Sequence, residues 1–166
     1  MEACAGAHFI VRQLARFGHE AKQISPQFVR PFLKSNKTDF IDAEAICEVA
    51  NRPAARFVTS KNEAQQTLSV LHRVRESLVR ERVKASNQIH GFVLEVGISL
   101  PVGHAAINKL PSVLAEQRQP ARLMLLLGQL HAHFKYLDKQ IAYVEKDLIR
   151  QVTEDDLDQR LITVPS

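Results

Sequence analysis

Residues 121–152 read ARLMLLLGQLHAHFKYLDKQIAYVEKDLIRQV. Leu127, Phe134, Ile141 and Leu148 recur every seven residues, and Leu123, Leu130, Leu137 and Val144 form a second seven-residue series. Four heptads with both series filled predict a coiled-coil helix. Upstream, residues 62–97 hold no proline, and their glycines are Gly91 and Gly97. There Leu71, Leu78, Ala85 and Phe92 repeat every seven residues, with Val74 between the first two, before the phase drifts to Ile89 and Val96. Such a helix spans roughly 50 Å at about 1.5 Å per residue. Residues 98–120 carry Pro101, Gly103, Pro111 and Pro120, which predict a turn around a short helix. Two long helices joined by a turn predict an antiparallel hairpin, and residues 121–152 are expected to pair with a second chain as well, giving a homo-oligomer.

The first sixty residues follow another grammar. Residues 7–17 place Phe9, Ile10, Leu14 and Phe17 on one side and Arg12, Gln13 and Arg16 on the other, an amphipathic helix stopped by Gly18. Ala21 to Ile24 read as a short strand closed by Ser25-Pro26. With Met1 to Cys4 as a strand end, the order is strand, helix, strand, as in a βαβ unit with a parallel sheet. Residues 26–36 read as a loop or short helix carrying Phe28, Val29, Phe32 and Leu33. Thr38 suits a helix N-cap, and that helix runs to about Asn51, ahead of Arg52-Pro53. A short strand at Arg56 to Val58 follows. The fold class expected is α/β, with a long helical hairpin behind it.

Composition narrows the function. A chain with 45% hydrophobic and 24% charged residues is globular rather than disordered. Its net charge of +4 permits nucleic acid without demanding it. Cys4 and Cys47 lack the paired spacing of a zinc site or a disulfide framework. No apolar run reaches the length of a membrane span, so a soluble, cytoplasmic protein is expected, with no membrane partner. Tryptophan is absent and tyrosine scarce, which argues against base stacking.

Chemistry centres on Asp39 and Asp42, which follow the run Lys34-Ser35-Asn36-Lys37-Thr38. An i, i+3 pair shares one helix face. Two carboxylates held that close repel unless a cation lies between them. The other reading is that both acids merely complement a helix N-terminus. A metal site needs a third carboxylate, and Glu2 is placed for it, at a strand end before a Gly-containing turn, where ligands gather in open parallel sheets. Arg73, Arg75, Arg80, Arg82 and Lys84 fall within twelve residues, against Glu76 and Glu81. They are either a solvated coiled-coil flank or a rail for nucleic-acid phosphates, which Lys34 and Lys37 extend toward the acids. His131 and His133 stand two apart on a helix and make poor joint metal ligands. His8 follows the Gly6 turn near Glu2 and is a weak ligand candidate. Phosphate-binding glycine loops, zinc helix motifs and nucleophile elbows are missing.

Met1-Glu2-Ala3-Cys4 before Gly6-Ala7-His8, then Pro26-Gln27-Phe28-Val29, Lys34 to Asp39, and Asp42-Ala43-Glu44-Ala45-Ile46 resemble the DEDD-type insertion-sequence transposases related to the Piv DNA invertase. Glu63-Ala64-Gln65-Gln66 and Leu71-His72-Arg73 continue the likeness, which runs to about residue 100. The resemblance implies an RNase H-like, RuvC-like nuclease domain in which four acids bind divalent metal, usually Mg²⁺. Glu2 matches the second acid, Asp39 the third and Asp42 the fourth. The first acid is expected on a strand before Met1. The resemblance also implies a C-terminal domain with a serine nucleophile, to which Leu161 to Pro165 look like the entry. Ser166 stands where the family usually has glycine and is not assigned. A structured guide RNA from the element itself and DNA are the implied partners.

The expected organisation is a partial RuvC-like domain over 1–60, a helical hairpin over 61–155, and the start of a further domain at 156–166, truncated at both ends. The expected parent function is site-specific DNA recombination with Glu2, Asp39 and Asp42 as catalytic metal ligands, and the chain alone is expected to be inactive. The alternative is a catalytically inactive nucleic-acid-binding or dimerisation module.

Overall fold

Glu2 lies beside Ile24 in a parallel bridge. The Ala3 amide donates to the Ile24 carbonyl at 2.8 Å, and the Ile24 amide donates to the Met1 carbonyl at 2.9 Å. Helix α1 (Ala7–Arg16) connects the two segments, but Glu2 forms a single isolated parallel bridge where a strand was expected, so the parallel sheet read from the sequence is reduced to that one bridge. The computed structural model describes residues 1–33, 38–117 and 119–154, with the backbone alone at 154. Strand β1 (Gln23–Ile24) also pairs antiparallel with β2 (Phe57–Val58), Gln23 opposite Val58 and Ile24 opposite Phe57. Between the strands lie α2 (Pro26–Val29), a 3-10 turn (Arg30–Phe32) and α3 (Asp39–Ala50). The chain as described is mostly helical, with one small sheet. It divides into two compact units, Met1–Gln66 and the part from Thr67 onward.

The first unit has a small core. Ile24, Val29, Ala45 and Val49 are buried, with Phe28, Phe32, Leu33 and Ile46 packed on them. Ala45 and Val49 are one turn apart on α3 and so face the same side. Thr38 caps α3 as its sequence predicts, accepting from the Ile41 amide at 3.4 Å. Helix α1 corrects one expectation. Its buried residues are Ala7 and Val11, whereas Phe9, Ile10 and Phe17 are 57, 42 and 77% exposed. Positions 7, 11 and 14 repeat at i, i+4 and i+7 and make a face of their own. Weighting by side-chain size favours the neighbouring phenylalanine stripe and misses it.

The second unit is built on α4 (Glu63–Glu95), which enters it from the first, α5 (His104–Asn108), α6 (Leu110–Ala115) and α7 (Ala121–Glu154). The predicted turn thus holds two short helices where one was expected. Helix α4 stops in a Schellman motif: Gly97, at φ 78°, donates to the Leu94 carbonyl, and Ile98 donates to the Val93 carbonyl, both at 2.9 Å. The two long helices run antiparallel. Arg75 pairs with Glu145 at 2.6 Å and Arg82 with Asp138 at 3.1 Å, so α4 advances seven residues while α7 retreats seven. Ala85, Ile89 and Val93 from α4 share one core with Ile107, Leu110 and Leu114 and with Leu127, Phe134 and Leu137. Ile141, Val144 and Leu148 are buried farther along α7.

On α4 the expected drift to Ile89 and Val96 is present, whereas Val74 and Phe92 need correction. Phe92 is 52% and Val74 43% exposed, and Ile89 is fully buried. A straight α-helix drifts about 20° per heptad against a seven-residue repeat. Three heptads beyond Leu71, that drift has carried Phe92 off the inner face, and Ile89 and Val93 continue from Ala85 in its place. No described helix is long and apolar enough to cross a membrane.

Candidate metal centre

The parallel bridge fixes the backbone of Glu2 at the edge of the sheet. Pro26, at the first position of α2, turns the chain beside it, and Arg30 follows one turn on. Asp42 lies one turn into α3, its amide donating to the Thr38 carbonyl at 3.0 Å. These pieces meet around one cleft of about 530 Å³, lined by Glu2, Pro26, Val29, Arg30, Leu33 and Asp42. Two acidic residues far apart in sequence and one arginine therefore line the same cleft. Glu2 and Asp42 are half-buried, and Asp39 is exposed and outside the cleft lining. Asp39 sits on the same helix face three residues earlier, about one turn away. Among the described residues no cluster of three or more His, Cys, Asp or Glu converges on one point. Lys34 and Lys37 lie outside the described residues.

Arg30 is the member of this cleft that sequence reasoning passed over. Its signal was faint: one base in the otherwise apolar stretch from Phe28 to Leu33. His8 goes elsewhere. Its Nδ1 accepts from the Lys61 amide at 3.3 Å and lies 3.2 Å from Gln23 Nε2, which also donates to Ser60 Oγ at 3.0 Å. The imidazole ties α1 to the segment after β2.

In the second unit the basic helix splits into two faces. Arg75 and Arg82 turn toward α7, where Glu145 and Asp138 accept their bonds. Asp138 also bonds His104 Nε2 at 2.5 Å. Arg73, Arg80 and Lys84 stand seven and four residues apart, on one exposed stripe. Arg80 reaches Glu76 at 2.6 Å within that surface. Of the two helical histidines, His131 is half-buried and His133 exposed. Burial, then the charge of Lys135, hold the His131 pKa below its ordinary value, and a hydrogen bond with the Ile107 backbone opposes them.

A family model described as a transposase, the DEDD transposase domain of IS110 elements, matches residues 11–98. Asp39 and Asp42 fall within the match, and Glu2 precedes it. Over 165 residues the chain is 56% identical to the transposase for insertion sequence element IS1328 of Yersinia enterocolitica, covering 99% of this chain and 49% of that protein. A probable family 20 transposase of Pseudomonas aeruginosa is 40% identical over 99% of this chain and 50% of its own length. The transposase for IS1111A of Coxiella burnetii is 34% identical, over 99% and 46%. The chain thus spans about half the length of the curated relatives it matches. No solved structure matches it. The chain belongs to the IS110-type family of DEDD transposases.

Proposed function

We propose that this chain carries the metal-binding part of a transposase that recombines DNA at specific sites, with Glu2, Asp39 and Asp42 as its metal ligands. The observation that carries the reading is the shared cleft of Glu2 and Asp42. Carboxylate oxygens suit a hard divalent cation, and Mg²⁺ commonly takes one or two carboxylates and completes its shell with water and phosphate oxygens. Two converging acids fit that demand, and Asp39 is the outer member, next to the cleft. A bound Mg²⁺ supplies charge stabilisation at phosphate oxygens. Glu2 and Asp42 would hold it, and Arg30 would offer a fork of donors to a phosphate in the same cleft. The βαβ start with an antiparallel third strand supports an RNase H-like, RuvC-like domain over about residues 1–60.

DNA, or the guide RNA that the resemblance implies, then runs along the outward stripe of Arg73, Arg80 and Lys84. Arg75 and Arg82 leave that rail, because their bonds run inward to acids of α7, whereas Arg80 and its partner Glu76 form an exposed i, i+4 pair on the rail itself. A second reading, a nucleic-acid-binding or dimerisation module without cleavage activity, gains support from Asp39 lying outside the cleft lining. Two assays separate them. Strand nicking that requires Mg²⁺ and is lost in Asp42→Asn and Glu2→Gln supports the first. Nucleic-acid binding of unchanged affinity in both variants, with no nicking by any form of the chain, supports the second.

A further inference from the structure

The outward face of α7 carries a surface that neither the cleft nor the α4 rail uses. Tyr136, Lys139, Tyr143, Lys146 and Arg150 step along the helix by three and four residues. The buried series Phe134, Leu137, Ile141, Val144 and Leu148 has the same steps. The two stripes are offset by two residues, about 200° around the helix, so the first looks away from the hairpin core. Tyr136 and Tyr143 are 56 and 73% exposed. They are the only tyrosines in the chain, and the scarcity that argued against base stacking is offset by both standing on one exposed face. Lys139 and Lys146 are exposed beside them. The acid bordering the stripe, Asp147, is already bonded by Arg150.

Charge decides what covers this face. A second copy of the stripe would bring cations against cations, since no stripe position from Leu125 to Arg150 is acidic. A polyanion with flat faces meets both features: phosphates at the ammonium groups, bases on the phenol rings. Bases paired in a duplex offer no free face. Seven helical residues separate the tyrosines by roughly 10.5 Å, close to three steps of a stacked strand at about 3.4 Å each.

We infer that the outer face of α7 binds single-stranded nucleic acid by stacking unpaired bases on Tyr136 and Tyr143 while Lys139 and Lys146 neutralise the adjoining phosphates. This inference stands apart from the metal cleft. Its test uses the 166-residue chain and fluorescence anisotropy with a labelled pyrimidine 12-mer as DNA, as RNA and as blunt DNA duplex. The single strands bind more tightly than the duplex, and the better of the two names the natural source. Tyr136→Ala and Tyr143→Ala each weaken single-strand binding by about fivefold to a hundredfold, and the double variant weakens it further. Phe at both positions keeps it, because the ring is what stacks. Lys139→Gln with Lys146→Gln lowers the slope of log affinity against log salt by about 1.4. Equal affinity for the Ala and wild-type chains overturns the inference. So does a dimer, seen by sedimentation, that the Ala variant dissociates while nucleic-acid binding is unchanged.

Discussion

Ile89→Ala and Phe92→Ala together test which face of α4 is inward. Three residues separate the two, and a strict heptad counted from Leu71 puts Phe92 inside. In the structure Ile89 is 0% and Phe92 52% exposed. Ile89 belongs to the core formed with Val93, Leu127 and Phe134. Cutting it to alanine loses transfer energy and leaves a cavity, at a cost of about 2–5 kcal/mol. Phe92→Ala removes a ring that is half in water, and alanine is the better helix former, so its net effect stays within about 1 kcal/mol. Urea unfolding followed by ellipticity at 222 nm reads the difference. With a slope of about 2 kcal/mol per molar urea, Ile89→Ala lowers the midpoint by about 1–2.5 M and Phe92→Ala by less than about 0.5 M. A larger loss for Phe92→Ala than for Ile89→Ala refutes this packing and restores the heptad.

Other outcomes follow from the same geometry. Asp138→Ala strips Arg82 and His104 of an acceptor whose side chain is 17% exposed, and costs about 1–3 kcal/mol; Glu145→Ala, at a 42% exposed pair, costs under about 1 kcal/mol by the same urea titration. Because the folded-state pKa of His131 is lowered, the unfolded chain binds the extra proton first. Its contribution to stability is therefore whole above the ordinary histidine range and lost as pH falls through it. Thermal melts of the wild type drop between pH 7.5 and 5, and His131→Gln flattens that drop. Thr38→Ala removes the cap of α3 and costs about 1 kcal/mol, read as faster amide exchange in the first turn of that helix.

Much of this architecture was legible because local signals agreed with one another. Gly18 and Gly97 stop their helices, Thr38 starts one, and the doubled heptad of 121–152 marks the buried face of α7. Two things escaped for physical reasons. A hydrophobic stripe shows that a helix has an inner face, but neighbouring stripes on α1 compete, and which is covered depends on the elements packed against it; on α4 the drift to Ile89 and Val96 was legible, and only Phe92 and Val74 were misplaced. The cleft partner Arg30 is set by the turn after β1, a tertiary placement that spacing does not encode. The paired acids were legible as a motif, whereas the cleft that Glu2 shares with Asp42 needed the parallel bridge to Ile24.

The central claim is that Glu2 and Asp42 hold one cation between them. Mn²⁺, as a paramagnetic substitute for Mg²⁺, reports this directly: its free-ion resonance is lost on binding and can be titrated against the chain. One site per chain, much weakened by Glu2→Gln and by Asp42→Asn alike, is the predicted result. Mn²⁺ binding that neither substitution changes would contradict it.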